Sequence, residues 1–188
     1  MPVTLNASTS SGLIATSDTS GNIELQNNGT TRLTVNSSGV NFAAQPLIAG
    51  VAPPAFSANA NTTQSISSGT FTKVVFGAER FDTNNNFASN TFTPTVAGYY
   101  QLNISVYYAS NPSGQAILFL YKNGAAYTEI GRNVASGAGT LSGSVVAYAN
   151  GSTDYFDVYF LSSGAGNTLS NSTDAFYVNF SGVLVRGA

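Results

Sequence analysis

The chain contains no cysteine and no histidine. Without cysteine there is neither a disulfide nor thiolate chemistry. Without both residue types, a Ser-His-Asp triad, a Cys-His dyad and a zinc site of the usual ligand set are excluded. Charge is scarce too: Asp, Glu, Lys and Arg make up 7% of the 188 residues, against about 25% in an ordinary globular protein. The six basic residues, Arg32, Lys73, Arg80, Lys122, Arg132 and Arg186, form no cluster. Neutralising successive phosphates needs clustered cations, so neither nucleic acid nor an anionic membrane surface is an expected partner. No apolar run reaches the ~20 residues of a membrane-crossing helix. The N-terminal Met-Pro-Val-Thr-Leu-Asn-Ala lacks the basic and apolar regions of a signal peptide. No membrane insertion is expected.

What the chain does have is 43% apolar residues, with 12 Phe and 10 Tyr. A domain of about 150 residues buries roughly 70% of its unfolded surface, so a core is within reach. The polar remainder is Ser, Thr, Asn and Gly. In so much Asn, Ser and Thr, sequons such as Asn6, Asn61 and Asn171 arise by composition. Apolar residues never hold the i, i+3, i+4, i+7 pattern over three turns, so no helix is expected. The clearest signal is Phe92-Thr-Pro-Thr-Val-Ala-Gly98-Tyr99-Tyr100-Gln-Leu102-Asn-Ile104-Ser-Val106. Tyr100, Leu102, Ile104, Val106 and Tyr108 alternate with Gln101, Asn103 and Ser105, which is the period of a half-buried strand. Phe, Pro and Gly ahead of it mark the turn that starts it.

Three regions follow from the spacing of such signals. Residues 1–45 hold short candidate strands at Gly12–Thr16, Asn22–Gln26, Thr31–Val35 and Gly39–Phe42, with turns at Asn27-Asn28-Gly29 and Ser37-Ser38-Gly39. Their apolar set is thin: Leu13, Ile14, Ile23, Leu25, Leu33, Val35, Val40 and Phe42. A meander of this size is marginal in water, so it needs a partner surface, either its own copies or another protein. Residues 46–54 read as a proline-stiffened linker. Residues 55–188 read as one β domain with strands at Ala55–Ala58, Thr72–Phe76, Asn86–Phe92, Tyr99–Tyr108, Gln115–Lys122, Ala126–Val134, Thr140–Ala147, Asp154–Leu161 and Ala175–Val185.

The larger region resembles the complement-one-q globular-head family, a relative of the tumour necrosis factor jelly rolls. The resemblance is carried by Phe81, Asp82 and Phe87 ahead of Phe92-x5-Gly98-Tyr99-Tyr100, and by Leu120-Tyr121-Lys122-Asn123-Gly124. It continues through the Val145–Val158 hairpin with its Asn150-Gly151 turn and ends in Phe180-Ser181-Gly182-Val183-Leu184. It covers about residues 54–188 and implies an all-β, ten-strand jelly-roll sandwich that assembles as a homotrimeric knob. On that reading one face of Ile117–Tyr121 fills the sandwich and the other meets a neighbour. Tyr99, Tyr107, Leu118, Leu120, Tyr155 and Tyr159 are the expected trimer-interface residues. The tyrosines also suit carbohydrate or protein contacts.

The collagen repeat of the vertebrate relatives is missing from residues 1–53. Instead, Ser11–Leu25 and Asn28–Val35 resemble N-terminal stretches of bacteriophage head-decoration and tail-fibre proteins. This implies a virion protein, made in the host cytoplasm and displayed on the particle surface. Leu13, Ile14, Ile23, Leu25, Leu33 and Val35 are the candidate anchoring residues, docking on a major capsid or other virion protein. The leading expectation is a trimeric decoration or cement protein (a head fibre). The alternative is a tail-fibre knob that binds a host glycan or protein.

Catalysis finds little support. Of the eight acids, Glu79 with Asp82, Glu129, and Asp154 with Asp157 are the candidates for a glycosidase pair, and they read as turn or surface groups. Asp82-Thr-Asn84-Asn-Asn86 begins like a calcium loop but has Phe87 at the glycine position and Thr93 at the glutamate position. Gly137-x-Gly139-x-x-Ser142 lacks the third glycine of a dinucleotide fingerprint. No cofactor, no metal and no enzymatic activity are expected.

Overall fold

The computed structural model describes residues 21–42, 53–109, 114–164, 167–169 and 177–188. The expected Gly12–Thr16 strand, with Leu13 and Ile14, lies outside them. The chain divides into two compact units, Met1–Val51 and Ala52–Ala188. Among the described residues no helix is long and apolar enough to cross a membrane.

In the first unit, β1 (Ile23–Asn27), β2 (Thr30–Asn36) and β3 (Gly39–Phe42) form an antiparallel sheet in the order β1-β2-β3. Asn28 and Gly29 both have positive φ, 50° and 72°, as a two-residue hairpin turn that follows strand twist requires. Ile23, Val35 and Val40 lie across from one another, and Leu25 lies across from Leu33, so these five share one face. On the other face the Thr31 hydroxyl donates to the Glu24 carboxylate at 2.9 Å.

The second unit is a two-sheet jelly-roll sandwich. Its strands are β4 (Ala55–Asn59), β5 (Gln64–Ile66), β6 (Thr72–Lys73), β7 (Ala78–Asp82), β8 (Phe87–Ala88), β9 (Thr91–Phe92), β10 (Gly98–Tyr108), β11 (Ala116–Lys122), β12 (Ala125–Asn133), β13 (Gly139–Ala149), β14 (Phe156–Ser162), β15 (Asn167–Leu169) and β16 (Asn179–Gly187). One sheet runs β5-β15-β10-β16-β4-β7, with β13 along the other side of β10. The second runs β12-β11-β14-β9-β8, with β6 paired to β14. β10 is the spine of the first sheet. It pairs with β13 over its whole length and with β16 from Gly98 to Ser105.

The core lies between the sheets. The alternation read in β10 is realised: Tyr100, Leu102, Ile104, Val106 and Tyr108 are buried. Phe56 stacks on Phe92 at 4.3 Å between ring centres and on Phe87 at 5.0 Å, with the edge of Phe180 at 4.9 Å. Each such side chain contributes roughly 1.5–3 kcal/mol by leaving water.

Leu118 and Leu120 require a correction. Both are wholly buried in this core, across from Phe160 and Val158 of β14, so neither meets another subunit. The run Ile117–Tyr121 is apolar on both faces; pairing with β14 turns the even positions inward.

Two expected strands are shortened, for one reason. In the predicted Thr72–Phe76 strand, the Val75 and Phe76 amides donate to the side chains of Gln64 and Asn90 rather than to a neighbouring strand. The predicted Asn86–Phe92 strand breaks into β8 and β9 around Ser89 and Asn90, at φ 51° and 63°. Asn90 thus serves the turn with its backbone and Phe76 with its side chain.

Candidate functional site

The broad outward face of the first sheet is the strongest candidate site. Its residues are the complement of the core positions. From β10 come Tyr99, Gln101, Asn103, Ser105 and Tyr107, and across from them on β13 stand Tyr148, Val146, Ser144, Ser142 and Thr140. On the other side of β10, β16 contributes Val183, Ser181 and Asn179. These residues carry no formal charge. The middle of the face is small and polar, while its ends are aromatic or aliphatic. At one end Tyr99 and Tyr148 lie 5.5 Å apart between ring centres, beside exposed Val146, Val183 and Val185. At the other, Tyr107 lies 5.3 Å from Tyr177. Phe81 lies across from Ser57 of β4 and is 52% exposed. Arg186 of β16 stands across from Tyr99 and is the charge at that end. Aliphatic and aromatic groups this exposed make the face the candidate contact surface.

A knot of polar groups braces the Tyr148 end. The Asp154 carboxylate receives the Lys122 ammonium at 2.9 Å, the Asn123 amide at 2.8 Å and the Asn150 backbone N–H at 3.0 Å. The Asn123 hydrogen bond and Lys122 hold its pKa below the usual carboxylate range. Lys122 also donates to the Tyr148 carbonyl at 2.8 Å. Asn123 and Gly124 form the β11–β12 turn at φ 55° and 78°, which is why that Asn-Gly pair sits there. One acid therefore ties the β11–β12 turn, the 150–154 turn and the end of β13 together.

The opposite side of the sandwich is different. On the outward face of the second sheet, Tyr121 stacks near Tyr159 at 4.1 Å between ring centres, and Phe71 meets the edge of Phe119 at 5.3 Å. Burial, then the nearby Asp157 charge, pushes the Tyr159 phenol pKa up. Beside them Lys73 and Asp157 pair at 2.7 Å, and the Thr91 hydroxyl donates to Asp157 at 2.7 Å.

The expected interface residues therefore do not share one surface. Tyr99 and Tyr107 lie on the outward face of the first sheet. Tyr159 lies on the second sheet, and Tyr155 precedes β14 beside the Gly124 turn. Leu118 and Leu120 are core. Sequence reasoning missed Val146, Tyr148, Val183 and Val185. The signal was available: in both β13 and β16 a bulky residue stands at every second position near the strand end.

Among the described residues, the candidate acids Asp82, Glu129, Asp154 and Asp157 are each engaged by partners of their own. Asp154 and Asp157 each face their own lysine. Glu129 is held by both nitrogens of the Arg132 fork, at 3.0 and 2.6 Å, and that pairing lowers its pKa. Asp82 closes its own turn, accepting from the Asn84 and Phe87 amides at 3.2 and 2.6 Å. Among the described residues no three His, Cys, Asp or Glu side chains converge as metal ligands would.

No protein-family model matches the sequence, and no curated protein matches it. Solved structures do share the fold. The globular domain of zebrafish complement 1qA protein aligns at TM-score 0.53 and 20% identity, covering 72% of this chain and 99% of that one. Murine APRIL aligns at TM-score 0.53 and 14% identity, covering 71% and 99%. PRD1 vertex protein P5 aligns at TM-score 0.48 and 16% identity, covering 71% and 96%, an overlap too low to bear on function. What the first two share with this chain is architecture: its sandwich is a jelly roll of the complement-one-q and tumour-necrosis-factor type.

Proposed function

We propose that this chain is a non-enzymatic structural protein of a virion. Three copies form a jelly-roll knob through the outward face of the β10–β13–β16 sheet, and residues 1–45 attach the knob to the particle by docking on a major capsid or other virion protein. The role is capsid decoration or cement, as a head fibre. The observation that carries the assembly is the face itself: Tyr99, Val146, Tyr148, Val183 and Val185 stand exposed together, with Arg186 across from Tyr99 as the charge at that end. The virion assignment is supported by the likeness of Ser11–Leu25 and Asn28–Val35 to phage appendage sequences. The pairing of every buried or turn-forming acid with its own partner supports a structural rather than a catalytic role.

The test uses particles made without this protein. They remain infectious but lose resistance to heat or osmotic shock if the protein is cement. Unchanged resistance together with lost adsorption to host cells would overturn that role and favour the second reading, an adhesin. That second reading has an observation of its own, the outward Phe71, Tyr121 and Tyr159 cluster, whose rings and neighbouring ion pair suit a sugar. Binding on a glycan array, abolished by Tyr121→Ala, would support it.

A further inference from the structure

Asn-Gly occurs three times in the chain, at Asn28-Gly29, Asn123-Gly124 and Asn150-Gly151. An asparagine followed by glycine is open to loss of its side-chain amide, because the backbone nitrogen of the glycine can attack the asparagine Cγ. Glycine has no Cβ to hinder that approach. The three glycines have nearly the same backbone conformation, with φ of 72°, 78° and 72°. Their surroundings differ. In the second unit both asparagines are clamped. The Asn123 amide donates to the Asp154 carboxylate at 2.8 Å, and its side-chain oxygen accepts the Tyr155 N–H at 2.9 Å. The Asn150 side-chain oxygen accepts the Ser152, Thr153 and Asp154 N–H groups at 3.0, 2.9 and 3.0 Å, and its amide donates to the Thr153 hydroxyl at 2.8 Å. A Cβ at Gly151 would collide with the Ala97 backbone, and one at Gly124 would lie 3.2 Å from the Tyr155 hydroxyl. Attack on Cγ in either pair requires the side chain to leave these bonds and the peptide to turn in a filled space.

Asn28 meets none of these restraints. It is exposed, and no described residue hydrogen-bonds its side chain. A Cβ at Gly29 would meet nothing within 4 Å. The strand register shifts between Leu25 and Gln26, so only the pairs Gln26–Thr31 and Asn27–Thr30 stand between that irregularity and the turn. Such a hairpin end opens at little cost. We propose that Asn28 is a site of spontaneous covalent modification in the folded protein, converting to aspartate and isoaspartate while Asn123 and Asn150 keep their amides. The Gly29 nitrogen gives up its proton and bonds to the Asn28 Cγ. The Cγ–Nδ2 bond breaks, and ammonia leaves with that proton. One water then opens the resulting succinimide. Addition at Cγ gives aspartate; addition at the backbone carbonyl gives isoaspartate, with the chain running through the former side chain. Water is the one co-reactant. Each converted chain adds one negative charge to the formal −2. Isoaspartate also adds a carbon to the backbone of a two-residue turn, which disturbs the Asn27–Thr30 pair. Neither the trimer nor the virion role is required for this conversion.

The test needs no variant. Full-length protein is held in mildly alkaline buffer, folded in one sample and unfolded by guanidinium chloride in another. Peptide mapping by mass spectrometry follows the three pairs over days, and enzymatic methylation of isoaspartate counts that product. Unfolded, the three pairs convert at similar rates. Folded, Asn28 converts about tenfold or more faster than Asn123 or Asn150, since their opening is the rarer event. Any folded sample in which Asn28 does not lead the other two overturns the proposal, whether all three stay intact or all convert together. Asn28→Gln supplies a second reading. Its longer side chain disfavours the five-membered ring, so most of the isoaspartate signal of the folded protein is lost. A signal retained in Asn28→Gln places the modification elsewhere and also overturns the proposal.

Discussion

Gly98 and Asp154 each hold a strand junction, one by having no side chain and the other by the bonds its side chain makes. A methyl group on Gly98 would collide with the Arg186 carbonyl oxygen and come within 2.6 Å of Leu184 Cδ1. The β16 backbone runs that close because Gly98 and Gly187 face each other. Gly98→Ala therefore lowers stability by about 1–3 kcal/mol, the usual cost of overpacking, measured by urea unfolding. Asp154 works in the other direction. Its folded pKa lies below the unfolded value of about 3.9, so its contribution is present above that value and is lost as pH falls through the folded pKa. Asp154→Asn is less stable than the parent at pH 7, and the gap narrows steadily as pH falls below about 4 towards the folded pKa. A gap that does not change with pH across the acid range would show that the charge is not what Asp154 supplies.

At the scale of strands, core and contact face lie on alternate residues, and two substitutions separate them. Leu118→Ala opens a cavity between the sheets and costs about 2–5 kcal/mol, measured as a shift in the unfolding midpoint. Val183→Glu puts a charge on the exposed face; assembly is lost by light scattering, while the far-ultraviolet circular dichroism of the chain is retained. If Val183→Glu still assembles, another surface makes the contact. The same alternation explains what the sequence reveals. In β10 polar and apolar residues alternate, so its inward side is legible from the order of residues alone. In β11, Ile117–Tyr121 is apolar throughout, and only the register with β14 decides that Leu118 and Leu120 face in. β5 and β15 are three residues each, too short to show a period, and β15 starts with the buried polar Asn167. The contact face is half legible: Tyr99 and Tyr107 sit on the strand with the clearest pattern, but Tyr148 and Val183 become their neighbours only through sheet order.

At the scale of the whole molecule, the proposed function divides between two units, assembly in Ala52–Ala188 and attachment in Met1–Val51. Protein lacking residues 1–45 is expected to fold and to keep the knob's oligomeric mass, yet to be missing from purified particles. Unfolding of the truncated knob would show that the smaller unit is part of its stability rather than its attachment. The small polar middle of the sheet face sets the surroundings in which such a contact holds. Simple electrolyte weakens attraction by screening charge, and acid weakens it by titrating carboxylates and imidazoles. Between Gln101 and Ser105 on β10, and on the β13 and β16 residues paired with them, there is neither charge to screen nor carboxylate or imidazole to titrate; charge enters only at the Tyr99 end, where Arg186 stands across from Tyr99 and Lys122 reaches the Tyr148 carbonyl. An assembly joined through that middle holds alike in dilute water and in brine, at neutral and at mildly acidic pH.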